Sequence, residues 1–204
     1  FSKEECTFGY RDSFFKANPQ YVVVSVEFRL TKAPSWELRL DYGNLRSALP
    51  SDFSPEDALA LRMIREAVRQ IRHDKLPDPA EIGSAGSFFK NPVVDRTVVD
   101  KILHDYPKMP FYEMPNGCKI PAGWLIEQTG WKGKKSGNVG VYEKQALVLV
   151  NLGQATGKEV WELAQHITLS VKEKFGVEIY PEVIKIPQLA VERTEKKLRT
   201  ISLL

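Results

Sequence analysis

Apolar residues recur along the 204-residue chain with two periods, one suited to strands and one to helices. Residues 21–30 (Tyr-Val-Val-Val-Ser-Val-Glu-Phe-Arg-Leu) are rich in β-branched side chains and alternate from Val24 onward, which predicts a strand. A shorter alternation over residues 36–40 predicts another. Leu61, Ile64, Val68 and Ile71 recur at helical spacing behind Ser54-Pro55-Glu56-Asp57. That tetrapeptide reads as a helix start, with a capping serine, a first-turn proline and carboxylates at the positive end. Residues 95–104 predict a short helix with Val98, Val99, Ile102 and Leu103 inward, and residues 122–128 another that Gly130 would end. Residues 145–151 form a continuous apolar run, suited to a strand buried on both faces. Thr156-Gly157-Lys158-Glu159 is a capping box, followed by an inner face of Val160, Leu163, Ala164, Ile167 and Val171 and a closing Gly176. Residues 177–186 predict a last strand, which Pro181 restricts to an edge or a bend.

The interruptions organise these elements. Residues 8–16 read as a polar, aromatic loop, in which Tyr10-Arg11-Asp12-Ser13 suits a solvated turn with a local ion pair. Pro77 and Pro79 make a stiff connector and mark a domain boundary. Residues 106–121 hold four prolines and an Asn116-Gly117 turn, and predict an irregular excursion. Residues 131–139 are rich in glycine and lysine, fit either for a phosphate or for a mobile solvated loop. Arg62, Arg65, Arg69 and Arg72 spread over the outer faces of their helix, a pattern that reads mostly as solvated surface. Helices and strands in this mixed order predict an α+β fold.

Composition narrows the function classes. Hydrophobic residues are 43% of the chain and charged residues 27%, an ordinary globular balance. A net charge of +3 is too small to argue for nucleic acid, yet it would not repel an anionic nucleotide-sugar. Cys6 and Cys118 show no metal-ligand spacing and imply no disulfide framework, so the expected setting is a reduced cytoplasm. No apolar run is long enough to span a membrane, and no P-loop or Gly-x-Gly-x-x-Gly fingerprint occurs.

The most informative stretch is Gly83-Ser84-Ala85-Gly86-Ser87-Phe88-Phe89-Lys90-Asn91-Pro92. Glycines bracket small residues, so the backbone can turn tightly beside a ligand; a hydroxyl, two rings, a cation and an amide follow. Two readings stand level here: a buried turn plugged by Phe88 and Phe89, or a rigid loop offering polar groups to a ligand. This stretch resembles the substrate loop of UDP-N-acetylenolpyruvoylglucosamine reductases. Five further segments resemble that family in the same order: Phe8-Gly9-Tyr10-Arg11-Asp12-Ser13, Lys75-Leu76-Pro77-Asp78-Pro79, Ala122-Gly123-Trp124-Leu125-Ile126, Gln145 through Asn151, and Pro181-Glu182-Val183. The resemblance implies an FAD-dependent, NADPH-consuming reduction of UDP-N-acetylglucosamine enolpyruvate in peptidoglycan synthesis. It implies Ser87 as the proton donor to the carbanion or enolate left by hydride addition, and Glu182 as an auxiliary acid or enolate stabiliser. Tyr10, Lys75, Asn91, Tyr112, Lys132 and Gln145 match substrate-binding positions, and Arg72 a contact to flavin phosphates; no metal is expected.

The chain begins at Phe1, and the resemblance implies the carboxyl-terminal part of such an enzyme. Residues 1–75 are then expected to be the tail of a second flavin-binding domain. Residues 76–186 form the substrate-binding domain, and residues 187–204 a segment returning to an amino-terminal flavin domain outside this chain. On that expectation the chain alone is inactive, and neither a membrane nor a nucleic acid is a partner. A stand-alone nucleotide-sugar binding module and a purely structural α+β domain remain the alternatives.

Overall fold

Small residues at 83–87 leave the backbone free to pair edge to edge, and they form a strand rather than a loop. The computed structural model describes residues 1–30, 38–41 and 43–185. Within them, β1 (Gly83–Ser87) pairs with β7 (Val148–Asn151), which pairs with β6 (Val139–Val141), which pairs with β5 (Lys135–Ser136). A second sheet runs in the order β2 (Val93–Val94), β4 (Gly117–Lys119), β3 (Tyr112–Met114). Every pairing is antiparallel. The helices are α1 (Phe14–Ala17), α2 (Leu45–Ala48), α3 (Ala60–Lys75), α4 (Arg96–Asp105), α5 (Ala122–Gln128) and α6 (Gly157–Phe175). Antiparallel sheets with helices packed against them make the fold α+β.

The larger core lies between α6 and the four-stranded sheet. Helix α6 presents Leu163, Ala164, Ile167 and Val171, all buried, to β6, β7 and α5. Its capping box forms as read: the Glu159 N–H donates to the Thr156 hydroxyl, and the Glu159 carboxylate accepts from the Thr156 N–H. Gly176 ends it at φ 67°, a conformation a side chain would strain. Phe88, Phe89, Val99, Ile120, Leu125 and Ile126 complete this core. A separate small cluster joins Leu40, Leu45 and Ala67 to Ile64 and Ile71.

Several elements differ from the sequence expectation. Residues 21–30 form no strand, and Val24 is 92% exposed. A strand exists only against a partner strand, and no described residue pairs with this segment. Helix α3 starts at Ala60, later than Ser54 suggested, because residues 54–59 are taken up by turns. The Asp57 carboxylate accepts from Leu59 N–H at 2.7 Å. Leu61 and Val68 are exposed, while Ala60, Ile64, Ala67 and Ile71 face inward. The excursion after α4 is partly regular, since Met114 and Gly117 close a hairpin between β3 and β4. The glycine-lysine stretch is likewise a hairpin, turned at Gly137. Strand β7 starts at Val148 because residues 142–147 are turned back by Gln145 N–H to Tyr142 O and Val148 N–H to Gln145 O bonds. Residues 177–185 make only an isolated bridge, Phe89 to Pro181, although Val177 and Ile179 are buried. The expected strand over residues 36–40 does not form at residues 38–40, its described part; residues 36 and 37, Ile186 and the segment 187–204 lie outside the described residues.

Candidate functional site

Strand β1 carries a bulge where it approaches Ser87. Ser84 is opposite Val150 and Ser87 opposite Val148, so three steps on β1 face two on β7. The extra residue is accommodated with Gly86 at φ 73°, which a glycine adopts without penalty. Ser87 emerges exposed at the end of this bulge, while the next two side chains turn into the core. Phe88 and Phe89 are each 2% exposed; their rings meet edge-on, and Phe88 also meets Trp161. The two readings of this stretch are therefore compatible: the rings anchor it and the polar groups stay outside.

Its backbone is fixed on both sides. Phe88 N–H donates to Leu147 O at 2.8 Å, and Phe88 O accepts from Glu182 N–H at 2.7 Å. Lys90 N–H donates to Tyr180 O at 2.9 Å. Segment 180–182 is thus laid beside residues 88–90, which brings Glu182 next to the Ser87 stretch. The segment leading to it is tied to α6 through Glu178, which accepts from both Lys172 Nζ and the Tyr180 hydroxyl. Those two donors, the lysine foremost, hold the Glu178 carboxyl below the usual carboxylate range. The same bond to Glu178 raises the Tyr180 phenol.

Asn91 and Gln145 each lie against the start of α5. Asn91 Oδ1 accepts from Ala122 N–H at 2.9 Å, satisfying a helix-terminal donor that has no partner within its own helix. Gln145 Oε1 accepts from Leu147 N–H at 3.4 Å and lies over Gly123, where an added Cβ would meet it at 3.4 Å. Glu127, one turn beyond Gly123 on the same face of α5, pairs with Lys132 at 2.9 Å.

Tyr10 and Tyr112 share one cation. Lys119 Nζ lies 5.3 Å from the Tyr10 ring centre and 5.2 Å from that of Tyr112, within the range at which an ammonium is attracted to a ring face. Beside Tyr10, Arg11 Nε stands 3.5 Å from Glu182 Oε2. The ion pair expected inside the Tyr10–Ser13 turn is therefore made across the molecule instead. Arg11 and Lys119 are two residues of this group that sequence reasoning does not single out: the Glu182 partner of Arg11 lies far along the chain, and Lys119 meets Tyr112 through the β3–β4 hairpin, where the sequence predicts an irregular excursion.

Lys75 and Arg72 are on a different element, in the last turn of α3. Arg72 lines a hollow of about 430 Å³ with His73, Leu76, Pro77, Tyr142 and Lys144. Asp78 and Glu81 line the same hollow, so its charge is mixed. Tyr142 and Lys144 place it beside the Gln145 turn. Among the described residues no cluster of His, Cys, Asp and Glu could hold a metal ion, and Cys6 and Cys118 are both free and buried. No helix among them is long and apolar enough to cross a membrane.

Comparison with known proteins gives a consistent result. The family model described as "UDP-N-acetylenolpyruvoylglucosamine reductase, C-terminal domain" matches residues 78–186. A UDP-N-acetylenolpyruvoylglucosamine reductase of Amoebophilus asiaticus is 47% identical over 186 residues, 90% of this chain and 54% of that protein. One from Pseudomonas putida is 48% identical over 184 residues, 89% of this chain and 53% of that protein. The chain therefore spans about half the length of the curated relatives it matches. A crystal structure of the reductase from Thermus caldophilus aligns at 27% identity and a TM-score of 0.39, over 63% of this chain and 35% of that one. That superposition is too loose to bear on the fold.

Proposed function

This chain belongs to the UDP-N-acetylenolpyruvoylglucosamine reductase family, matching its C-terminal domain, and we propose that it supplies the substrate-holding half of such a reductase. The substrate would be UDP-N-acetylglucosamine enolpyruvate, the product UDP-N-acetylmuramate for peptidoglycan, and the setting the cytoplasm. The observation that carries this reading is the fixing of residues 87–91 between Leu147, Glu182 and the start of α5. It gathers a hydroxyl, a carboxylate and two amides around one stretch of backbone.

The residues have separate tasks in this reading. Hydride addition to the terminal vinyl carbon leaves enolate character on the adjacent carbon, conjugated with the substrate carboxylate. Such a base is strong enough to take a proton from a neutral hydroxyl held within hydrogen-bond reach, and Ser87 is that donor. Glu182 assists by stabilising the developing charge or by supplying a proton. Lys132 and Lys75 offer point charge to the diphosphate, and Asn91 and Gln145 orient it through their amide donors. Tyr10 and Tyr112 offer ring faces and hydroxyls to base and sugar.

FAD and NADPH provide the hydride in this reading. Arg72 is the residue assigned to the flavin phosphates, yet the hollow it lines also carries Asp78 and Glu81. Arg72 and Lys144 balance those two carboxylates, so the hollow is no dedicated anion site; Arg72 would hold the flavin phosphates in this reading, and no step is assigned through the flavin. We place residues 1–75 with a flavin-binding domain, residues 76–186 as the substrate domain, and residues 187–204 as a segment returning to an amino-terminal flavin domain. Two separate hydrophobic clusters, one on each side of residue 76, support that division.

The test is turnover by the complete protein that carries this chain. NADPH oxidation should depend on added UDP-N-acetylglucosamine enolpyruvate and should be lost in a Ser87→Ala variant that still binds the nucleotide-sugar. Substrate-independent oxidation, or full turnover by that variant, contradicts the reading.

A further inference from the structure

We propose that Arg11 is a positioning residue for Glu182: it latches the Tyr10 turn onto the Glu182 carboxylate and so fixes where that carboxylate stands. The proposal rests on the role given to Glu182 above, but the latch itself is a matter of geometry. Among the described residues Arg11 is the one cation within ion-pair distance of Glu182, at 3.5 Å. Glu182 cannot swing freely, because its own N–H is bonded to Phe88 O and its side chain is only 24% exposed.

The turn is built to deliver the guanidinium. Gly9 and Asp12 exchange backbone hydrogen bonds of 3.0 and 3.3 Å, so Tyr10 and Arg11 form a two-residue loop. Arg11 sits at φ 54°, a left-handed conformation in which a long side chain is uncommon and which persists when surrounding contacts over-determine it. Lys16 Nζ donates to Arg11 O at 2.8 Å and holds that backbone from below. Tyr10, the other loop residue, rests against Lys119. Adjacent residues are therefore gripped at two points, one against Lys119 and Tyr112, the other against Glu182. Substrate that displaces Tyr10 from Lys119 would pull on Arg11, and hence on Glu182, through a single peptide unit.

Amide hydrogen exchange on this chain tests the latch independently of any activity. In Arg11→Ala and in Glu182→Gln, the amides of Gly9 and Asp12 should exchange about two- to fivefold faster, the range expected on losing a partly exposed ion pair. Arg11→Lys should lie near the parent, and amides of β7 should not change in any variant. Unchanged exchange at Gly9 and Asp12 in Glu182→Gln overturns the proposal. In the complete enzyme, Arg11→Ala should lower kcat about tenfold through misplacement of Glu182, change KM for the nucleotide-sugar by no more than the few-fold that the loosened Tyr10 loop explains, and be largely rescued by Arg11→Lys. A raised KM with unchanged kcat makes Arg11 a substrate ligand and overturns the proposal as well. A parent enzyme without reductase activity refutes the reading of the site, and the exchange experiment then still decides the latch.

Discussion

Glu182 donates its backbone N–H to the carbonyl of Phe88 at 2.7 Å, one residue beyond Ser87. This backbone bond ties the two residues of the proposed site together, beside the ring packing of Phe88 and Phe89 and the Arg11–Glu182 pair. Each can be changed without collapsing the other, which makes the site open to dissection by substitution.

Ser87→Ala should lower turnover of the complete enzyme by about two to four orders of magnitude, the usual weight of a general acid. Its affinity for nucleotide-sugar should stay within a few-fold of the parent, because the proposed role of the hydroxyl is protonation and not holding the diphosphate. Steady-state kinetics beside a calorimetric titration separate the two effects.

Asn91 has a structural duty as well as the proposed one. Its Oδ1 satisfies the Ala122 N–H in a partly buried setting. Asn91→Ala should destabilise the chain by about 1–2 kcal/mol, the cost of leaving such a donor without a partner. Asn91→Asp keeps the acceptor and should recover most of that loss while weakening diphosphate binding, since it removes the amide donors. Urea denaturation and nucleotide-sugar titration on the same variants report both.

Two glycines in left-handed backbone should respond unequally. Gly86 has open space where a Cβ would go, so Gly86→Ala costs about 1 kcal/mol of conformational strain. At Gly117, φ 136°, an added Cβ would stand 2.7 Å from Val94 O and 3.1 Å from Val93 Cγ1. Backbone cannot yield as a flexible side chain can, so Gly117→Ala should be clearly the more destabilising in a urea titration.

The capping box should make α6 acid-sensitive. Bonds from the Thr156 N–H and hydroxyl hold the Glu159 carboxyl below its ordinary value. Its contribution is therefore full above the unfolded carboxylate pKa and is lost as pH falls through the lowered folded value. Lys172 behaves oppositely: the Glu178 bond raises it, so its contribution persists below the unfolded lysine pKa and is lost as pH rises through the raised one. Melting temperature against pH should show a weaker acid-side decline in Glu159→Gln, and Lys172→Met should flatten the alkaline side.

What the sequence revealed follows from range. Helix α6 was legible from end to end because Thr156, Glu159 and Gly176 act within one turn of their own backbone. Strand β7 was legible because a run such as Val148–Val150 has to be buried. Gly83–Ser87 was not legible as a strand: its pairing with β7 uses backbone alone, and its small side chains announce a turn. Residues 21–30 misled in the other direction, since β-branched composition reports a preference but no partner. The site shows the same division. Ser87 and Asn91 stood out in a dense local motif, whereas Arg11 acquires meaning only from Glu182 far along the chain, and Lys119 only once the β3–β4 hairpin sets it against Tyr112 and brings Tyr10 to it.

The most direct test is an isotope-edited NMR titration of this chain with UDP-N-acetylglucosamine. The account predicts shifts that saturate together at Ser87, Asn91 and Gln145, at the start of α5, and at Tyr10 and Tyr112. Shifts confined to α4 or to the outer face of α3, or none at millimolar ligand, would contradict it.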